Sequence, residues 1–351
     1  MKIPASLLPA LLSLGVASAQ PAAVSSENNA RLRDALQKFP QADTDGDGIL
    51  SLAEGLALAK FLGIDPATGL ADAGAVEGVE FKSNITYGPK TREVLDFWQP
   101  TKSTTPTPVV ILIHGGGFKG GDKTGISNEG PMVVLRNALL QQGIAVAAID
   151  YPFVATTPLN EILHDGARAV QFLRSKSSEW NIDKAHFGAL GVSAGAGMSL
   201  WLTTRDDLAD AKNSDPVLRE SSKIGPVVLI ATQATYNLPR WDLFLGKPNF
   251  EQKPNEAAEM FHFPTNEDLR SAKGKAVLDE SDMLAWLGKG DGPILAFIGK
   301  NPGSTDTWDA YVHNPLHARE IKKVSDQVGV DCEVITPTGP EALAFFVKNL
   351  K

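Results

Sequence analysis

Five consecutive apolar residues, Val109-Val110-Ile111-Leu112-Ile113, constrain this chain more than any other segment. A strand with one wet face alternates apolar and polar side chains, so an unbroken and mostly β-branched run predicts a strand buried on both faces of a parallel sheet. Such a strand needs helices around it. The spacing supplies them, with helices expected over 131–142 and 159–177, a helix opening near Ser193, and further helices over 317–327 and 341–350. Strands are expected between them, at 145–149, 185–190, 226–231, 293–298 and 331–336, preceded by short extended stretches at 79–81, 84–87 and 94–98. Alternation of this kind predicts an α/β fold, an open and mostly parallel central sheet with right-handed crossovers and helices on both faces. Residues 232–292 break the rhythm and read as an insertion over the carboxyl edge of the sheet, where loops carry substrate contacts. Its aromatics Trp241, Phe244, Phe250, Phe261 and Phe263 either line a pocket or simply pack.

The chain has 351 residues, 43% hydrophobic, with 41 acidic against 33 basic and a formal charge of -8. Without a Lys/Arg run, that balance argues against nucleic acid as a partner. The single cysteine, Cys332, rules out an intramolecular disulfide and a cysteine-based zinc site, and its position beside a strand fits a small buried side chain. Lys2, the apolar run from Leu7 to Val16 and Ala17-Ser18-Ala19 form a secretory signal peptide pattern over 1–19, implying a secreted or periplasmic protein. The apolar run is too short for a stable membrane anchor.

Asp43-Thr44-Asp45-Gly46-Asp47-Gly48-Ile49-Leu50-Ser51-Leu52-Ala53-Glu54 matches the EF-hand loop wherever its chemistry is constrained. Calcium prefers hard oxygen ligands, which Asp43, Asp45, Asp47, the Ile49 carbonyl, Ser51 and Glu54 would offer, while Gly48 allows the sharp turn. Helices are expected on either side, over 30–39 and 51–62, giving an EF-hand extension over 28–63 ahead of a main domain over 79–351. Only one such loop occurs, so a constant structural role for calcium is expected rather than sensing.

Gly191-Val192-Ser193-Ala194-Gly195 follows an expected strand and opens an expected helix, the setting a nucleophile elbow requires. His114-Gly115-Gly116-Gly117-Phe118 follows the buried strand, and its backbone is rich in donors. N–H groups of Gly116, Gly117 and Ala194 could stabilise the oxyanion of an acyl-transfer intermediate by about 3 kcal/mol each.

In these phrases, together with Gly120-Gly121-Asp122-Lys123 and Phe187-Gly188-Ala189-Leu190, the chain resembles the α/β-hydrolase fold over residues 79–350. The resemblance is to its HGGG-type carboxylesterases and lipases, including the feruloyl-esterase-like branch. It implies a serine hydrolase acting on small-molecule or polysaccharide-linked esters, with Ser193 as nucleophile and no redox cofactor. It also implies that His114 orients the oxyanion loop and that Tyr151 is structural. For the acid, Asp309-Ala310-Tyr311-Val312 resembles the family's Asp-x-x-Val turn, with Asp306 as the nearby alternative.

The family places its catalytic histidine after the last strand, and here that segment is Pro337-Thr338-Gly339-Pro340-Glu341. A replacement must come from His313 or His317, of which His313 lies better, just beyond Val312; His164, His186 and His262 are expected to be structural. Without a base the serine hydroxyl is a poor nucleophile. The missing residue therefore leaves a second reading open, a hydrolase-fold protein that binds a ligand or partner without turnover.

Overall fold

The computed structural model describes residues 25–27, 32–33, 36–37, 39–61, 77–128, 130–251, 253–299 and 303–351. The signal peptide expected over 1–19 and half of the helix expected over 30–39 lie outside them. The chain divides into two compact units, one made of the described residues up to Val79 with Ser127–Ala138, the other of Glu80–Ile126 and Leu139–Lys351.

In the larger unit eight strands form one sheet, β1 (Val79–Thr86), β2 (Val94–Pro100), β3 (Thr107–Ile113), β4 (Ala145–Ile149), β5 (Ile182–Val192), β6 (Val227–Ile230), β7 (Ile294–Phe297) and β8 (Cys332–Ile335). Their order is β1-β2-β4-β3-β5-β6-β7-β8. β2 runs antiparallel to β4, and every pair from β4 across to β8 is parallel. The Val109–Ile113 run is buried on both faces, as its pattern requires, and so is all of β4. Burying each Val, Ile or Leu side chain among them contributes about 1.5–3 kcal/mol.

Differences from the pattern-based expectations have local causes. The two stretches expected within 79–87 form one strand. β5 is longer than the apolar stretch 185–190, because the polar, mostly exposed Asp183 and Lys184 separate that stretch from the buried Ile182, and a sequence rule keyed to hydrophobicity passes over them. There Ile182 pairs with Thr107, and the Asp183 carboxylate meets the His186 ring at 2.7 Å. The helix expected to reach residue 177 ends at Ser175, where Lys176 leaves helical geometry. Among the described residues of the stretch 232–292, two 3-10 helices (Leu238–Leu243, Asp268–Arg270) and three α-helices (Glu256–Met260, Ala272–Glu280, Met283–Trp286) replace the irregular chain. Trp241 and Phe261 are buried there, and Phe244 and Phe263 pack against the core, so these rings serve packing.

The smaller unit has its own apolar cluster, with Leu32, Ala42 and Leu50 buried and Leu36, Phe39, Leu52 and Leu58 around them. A helix (Leu52–Phe61) follows the acidic loop. It starts with a capping box, since the Ser51 hydroxyl accepts from the Glu54 N–H and the Glu54 carboxylate accepts from the Ser51 N–H.

Candidate active site

The parallel order sets the exits of β3, β5, β6 and β7 side by side at the carboxyl edge, where open α/β sheets hold their ligands. Between β5 and the helix Ala194–Thr204, Ser193 sits at φ 52° and ψ −116°, a conformation that costs on the order of 1–3 kcal/mol. The flanking glycines make it possible. A Cβ on Gly191 would stand 2.0 Å from the Gly195 carbonyl oxygen, and one on Gly195 would stand 2.1 Å from that of Ile113. No L side chain fits there, so the spacing of this turn is a steric requirement of chain crossing chain. The Ser193 N–H is anchored on the Ile230 carbonyl at 2.8 Å, fixing the turn against β6.

Beside it lies the glycine-rich loop after β3. Gly116 and Gly117 have φ of 110° and 62°, and the Gly116 carbonyl accepts from Lys119 and Gly120, closing the loop on itself. Among the described residues the N–H groups of Gly116, Gly117 and Ala194 find no acceptor. These are the three donors expected for an oxyanion. His114 lies behind them, buried, its Nδ1–H donating to the Gly115 carbonyl at 2.7 Å and its ring stacked on Tyr151. Burial holds its imidazole below the ordinary histidine range, so the ring is neutral and serves as a brace. The Tyr151 hydroxyl donates to the His114 carbonyl at 2.7 Å.

Arg92, which the sequence gave no reason to single out, ties the loop down from outside. Its Nε donates to the Tyr151 carbonyl at 2.9 Å and its Nη2 to that of Gly121 at 3.0 Å. The guanidinium also pairs with Asp150 at 3.2 Å and covers the Phe153 ring. All these partners lie far along the chain, and two are backbone carbonyls that no side-chain pattern encodes.

His313 meets Ser193. Its Nε2 is 2.8 Å from the serine Oγ, and its Nδ1 is 3.0 Å from Asp309 Oδ1. With Nδ1 donating to the carboxylate, Nε2 carries the lone pair and the hydroxyl donates to it, the relation a general base needs. Asp309 and His313 are four residues apart on and just past one short helix (Trp308–Val312), whose first turn the Thr307 hydroxyl caps by accepting from the Ala310 N–H. The Asp309 side chain is 88% exposed and that of His313 29%, so the carboxylate lies in solvent and the imidazole is half-buried.

The other candidates are engaged elsewhere. Asp306 accepts from Ser304 and Asn249. His317 is fully buried. His164 pairs with Glu280, His186 with Asp183 and His262 with the Val154 carbonyl. In the segment after β8, Glu341 accepts from the Thr338 and Gly339 N–H groups. Cys332 lies buried in β8, where burial pushes its thiol up to about 11.

In the smaller unit the carboxylates of Asp43, Asp45 and Asp47 converge, each offering an oxygen within 4.8 Å of the others. Asp43 accepts from the Gly46 and Gly48 N–H groups, and Asp47 from that of Ile49. Although the Asp47 N–H bond works the other way, desolvation and the charges of Asp47 and Glu54 raise the Asp45 carboxyl above its usual value. A cation would relieve that crowding, and all-oxygen donors suit a hard one. Glu54 is turned to hydrogen-bond donors instead: the N–H groups of Ser51 and Thr44 and both hydroxyls hold its carboxyl down to about 2.

Sheet order, elbow and glycine loop define the class, the α/β-hydrolase fold. Solved structures agree on the fold. A truncated carbohydrate esterase from gut microbiota superposes with TM-score 0.60 at 16% identity, covering 79% of this chain and 99% of that one. Esterase B from Lactobacillus rhamnosis gives 0.52 at 19% identity, covering 87% and 84%. Within the class, residues 95–240 match the BD-FAE family model. Among curated proteins, a probable isoprenylcysteine alpha-carbonyl methylesterase of Arabidopsis thaliana is 28% identical over 143 residues, 41% of this chain and 29% of its own length. The chain thus spans less than a third of that relative. Among the described residues no helix is long and apolar enough to cross a membrane.

Proposed function

We propose that this protein is a carboxylic ester hydrolase that works through an acyl-enzyme on Ser193. His313 takes the hydroxyl proton as Oγ attacks the ester carbonyl, and returns it to the departing alcohol. The N–H groups of Gly116, Gly117 and Ala194 hold the oxyanion of each tetrahedral intermediate. Asp309 keeps the imidazole in the tautomer that presents Nε2 to the serine. Water, deprotonated by the same imidazole, then attacks the acyl-enzyme and releases the acid. The observation that carries this reading is the 2.8 Å approach of His313 Nε2 to Ser193 Oγ beside three donors that find no acceptor among the described residues. It supports His313 as the base that the non-catalytic reading lacked. The similar proteins, a probable methylesterase and a carbohydrate esterase, support small-molecule or polysaccharide-linked esters as substrates. The amino-terminal pattern supports export. Turnover of a short-chain nitrophenyl ester should fall by roughly a thousandfold or more in Ser193→Ala. A variant as fast as the parent would contradict the proposal.

The same reading includes calcium in the acidic loop, held by Asp43, Asp45, Asp47, the Ile49 carbonyl, Ser51 and Glu54, and supplying positive charge that neutralises the crowded carboxylates. The convergence of three carboxylates supports it. Glu54 would have to exchange its bonds to Thr44 and Ser51 for the ion.

A further inference from the structure

His313 stands in a segment that the fold does not ordinarily ask to carry a base, and a one-turn helix is poorly stable alone. The means of holding it lie in the chain leaving β6. Gln233, buried, donates from Nε2 to the Val312 carbonyl at 3.2 Å and to the Ala231 carbonyl at 3.2 Å. One residue on, the Ala234 N–H donates to His317 Nδ1, also at 3.2 Å. The two cross-links therefore grip the chain at residues 312 and 317, one on each side of His313. His317 is fully buried, its ring edge-on to Trp241 at 4.7 Å and to Phe244 at 5.3 Å. Because Nδ1 accepts, this imidazole is in the Nε2–H tautomer, and burial pushes it down to about 3, so the acceptor persists throughout the neutral range. A third tie holds the helix itself, for the Tyr311 hydroxyl donates toward Asp242 and the Gly246 carbonyl, while its ring packs on Trp241.

We propose that Gln233 and His317 are positioning residues for His313, a pair of clamps from the β6 exit that fix Nε2 on the serine hydroxyl. The proposal rests on His313 being the base. Neither side chain meets Ser193 or the oxyanion donors, so each acts only through the segment it holds. Sub-ångström placement matters, because displacing a reacting group by about 1 Å can cost on the order of a hundredfold in rate.

The test uses the full chain with a short-chain nitrophenyl ester and an active-site fluorophosphonate, with thermal unfolding recorded for each variant. Gln233→Met keeps the length and apolar stem but removes the donor. His317→Leu removes the acceptor, and His317→Asn can set its Oδ1 where Nδ1 stands. The expected result is a fall in kcat of about tenfold or more in Gln233→Met and His317→Leu, KM within about twofold, phosphonylation of Ser193 slowed by the same factor, and most of the rate restored in His317→Asn. Unchanged kcat in folded Gln233→Met overturns the proposal, as does a His317→Asn protein no faster than His317→Leu. His313→Ala is run alongside. If it is slow while Gln233→Met is not, the clamp alone is wrong; if it is as fast as the parent, the assignment of the base fails and the clamp with it.

Discussion

At Gly191 and Gly195 the requirement is purely steric. A methyl group at either position would meet a carbonyl oxygen at about half the normal contact distance, 2.0 Å and 2.1 Å, with backbone rather than a yielding side chain in the way. Gly195→Ala should therefore lower stability by about 3 kcal/mol or more, measured by urea unfolding, besides abolishing turnover. Asp309 makes a different prediction. Its carboxylate is 88% exposed, so water screens its effect on the imidazole. Asp309→Asn should reduce kcat only about tenfold to a hundredfold, less than loss of a buried triad acid costs. Ser193 and its donors were legible in the sequence because local chain geometry dictates their neighbours. Arg92 and Gln233 were not, since their roles run through carbonyl groups that every residue possesses.

What brings Asp309 rather than Asp306, and His313 rather than His317, to the Ser193 site acts at the scale of the element. Sequence proximity admitted all four. The short helix Trp308–Val312 turns Asp309 and His313 toward each other, while the next helix, Leu316–Val328, begins by burying His317. That burial has a consequence in acid. The folded-state value of His317 is depressed to about 3 from 6.5, so its contribution to stability is complete above pH 6.5 and is lost as pH falls toward 3. Stability should decline in this window by on the order of 1 kcal/mol per pH unit from this residue alone. Urea unfolding at pH 7, 5.5 and 4 should show a flatter acid limb in His317→Asn; equal slopes would contradict the assignment. The strands illustrate the same limit of pattern reading. β4 and the helix Glu341–Leu350 have the bounds expected from periodicity, whereas β5 hides its polar Asp183 and Lys184 from any rule that counts apolar residues.

For the molecule as a whole, alternation of strand and helix was enough to anticipate an open parallel sheet, because burial on both faces leaves few other ways to cover the Val109–Ile113 run. Sequence also marked out the acidic loop, whose three aspartates converge in the smaller unit. If calcium binds there, adding it to chelator-treated protein should raise the melting temperature, and Asp45→Asn should abolish the rise. An unchanged melting temperature with no heat of binding would remove calcium from the account. What periodicity could not supply was which histidine meets Ser193, a contact that His313 makes from the chain between β7 and β8. The most direct measurement is thus nitrophenyl ester turnover by His313→Ala, with and without added imidazole. A loss of roughly a thousandfold, partly restored by free imidazole while Ser193→Ala stays inactive in it, is the predicted result. Turnover by His313→Ala at the parental rate would contradict the account.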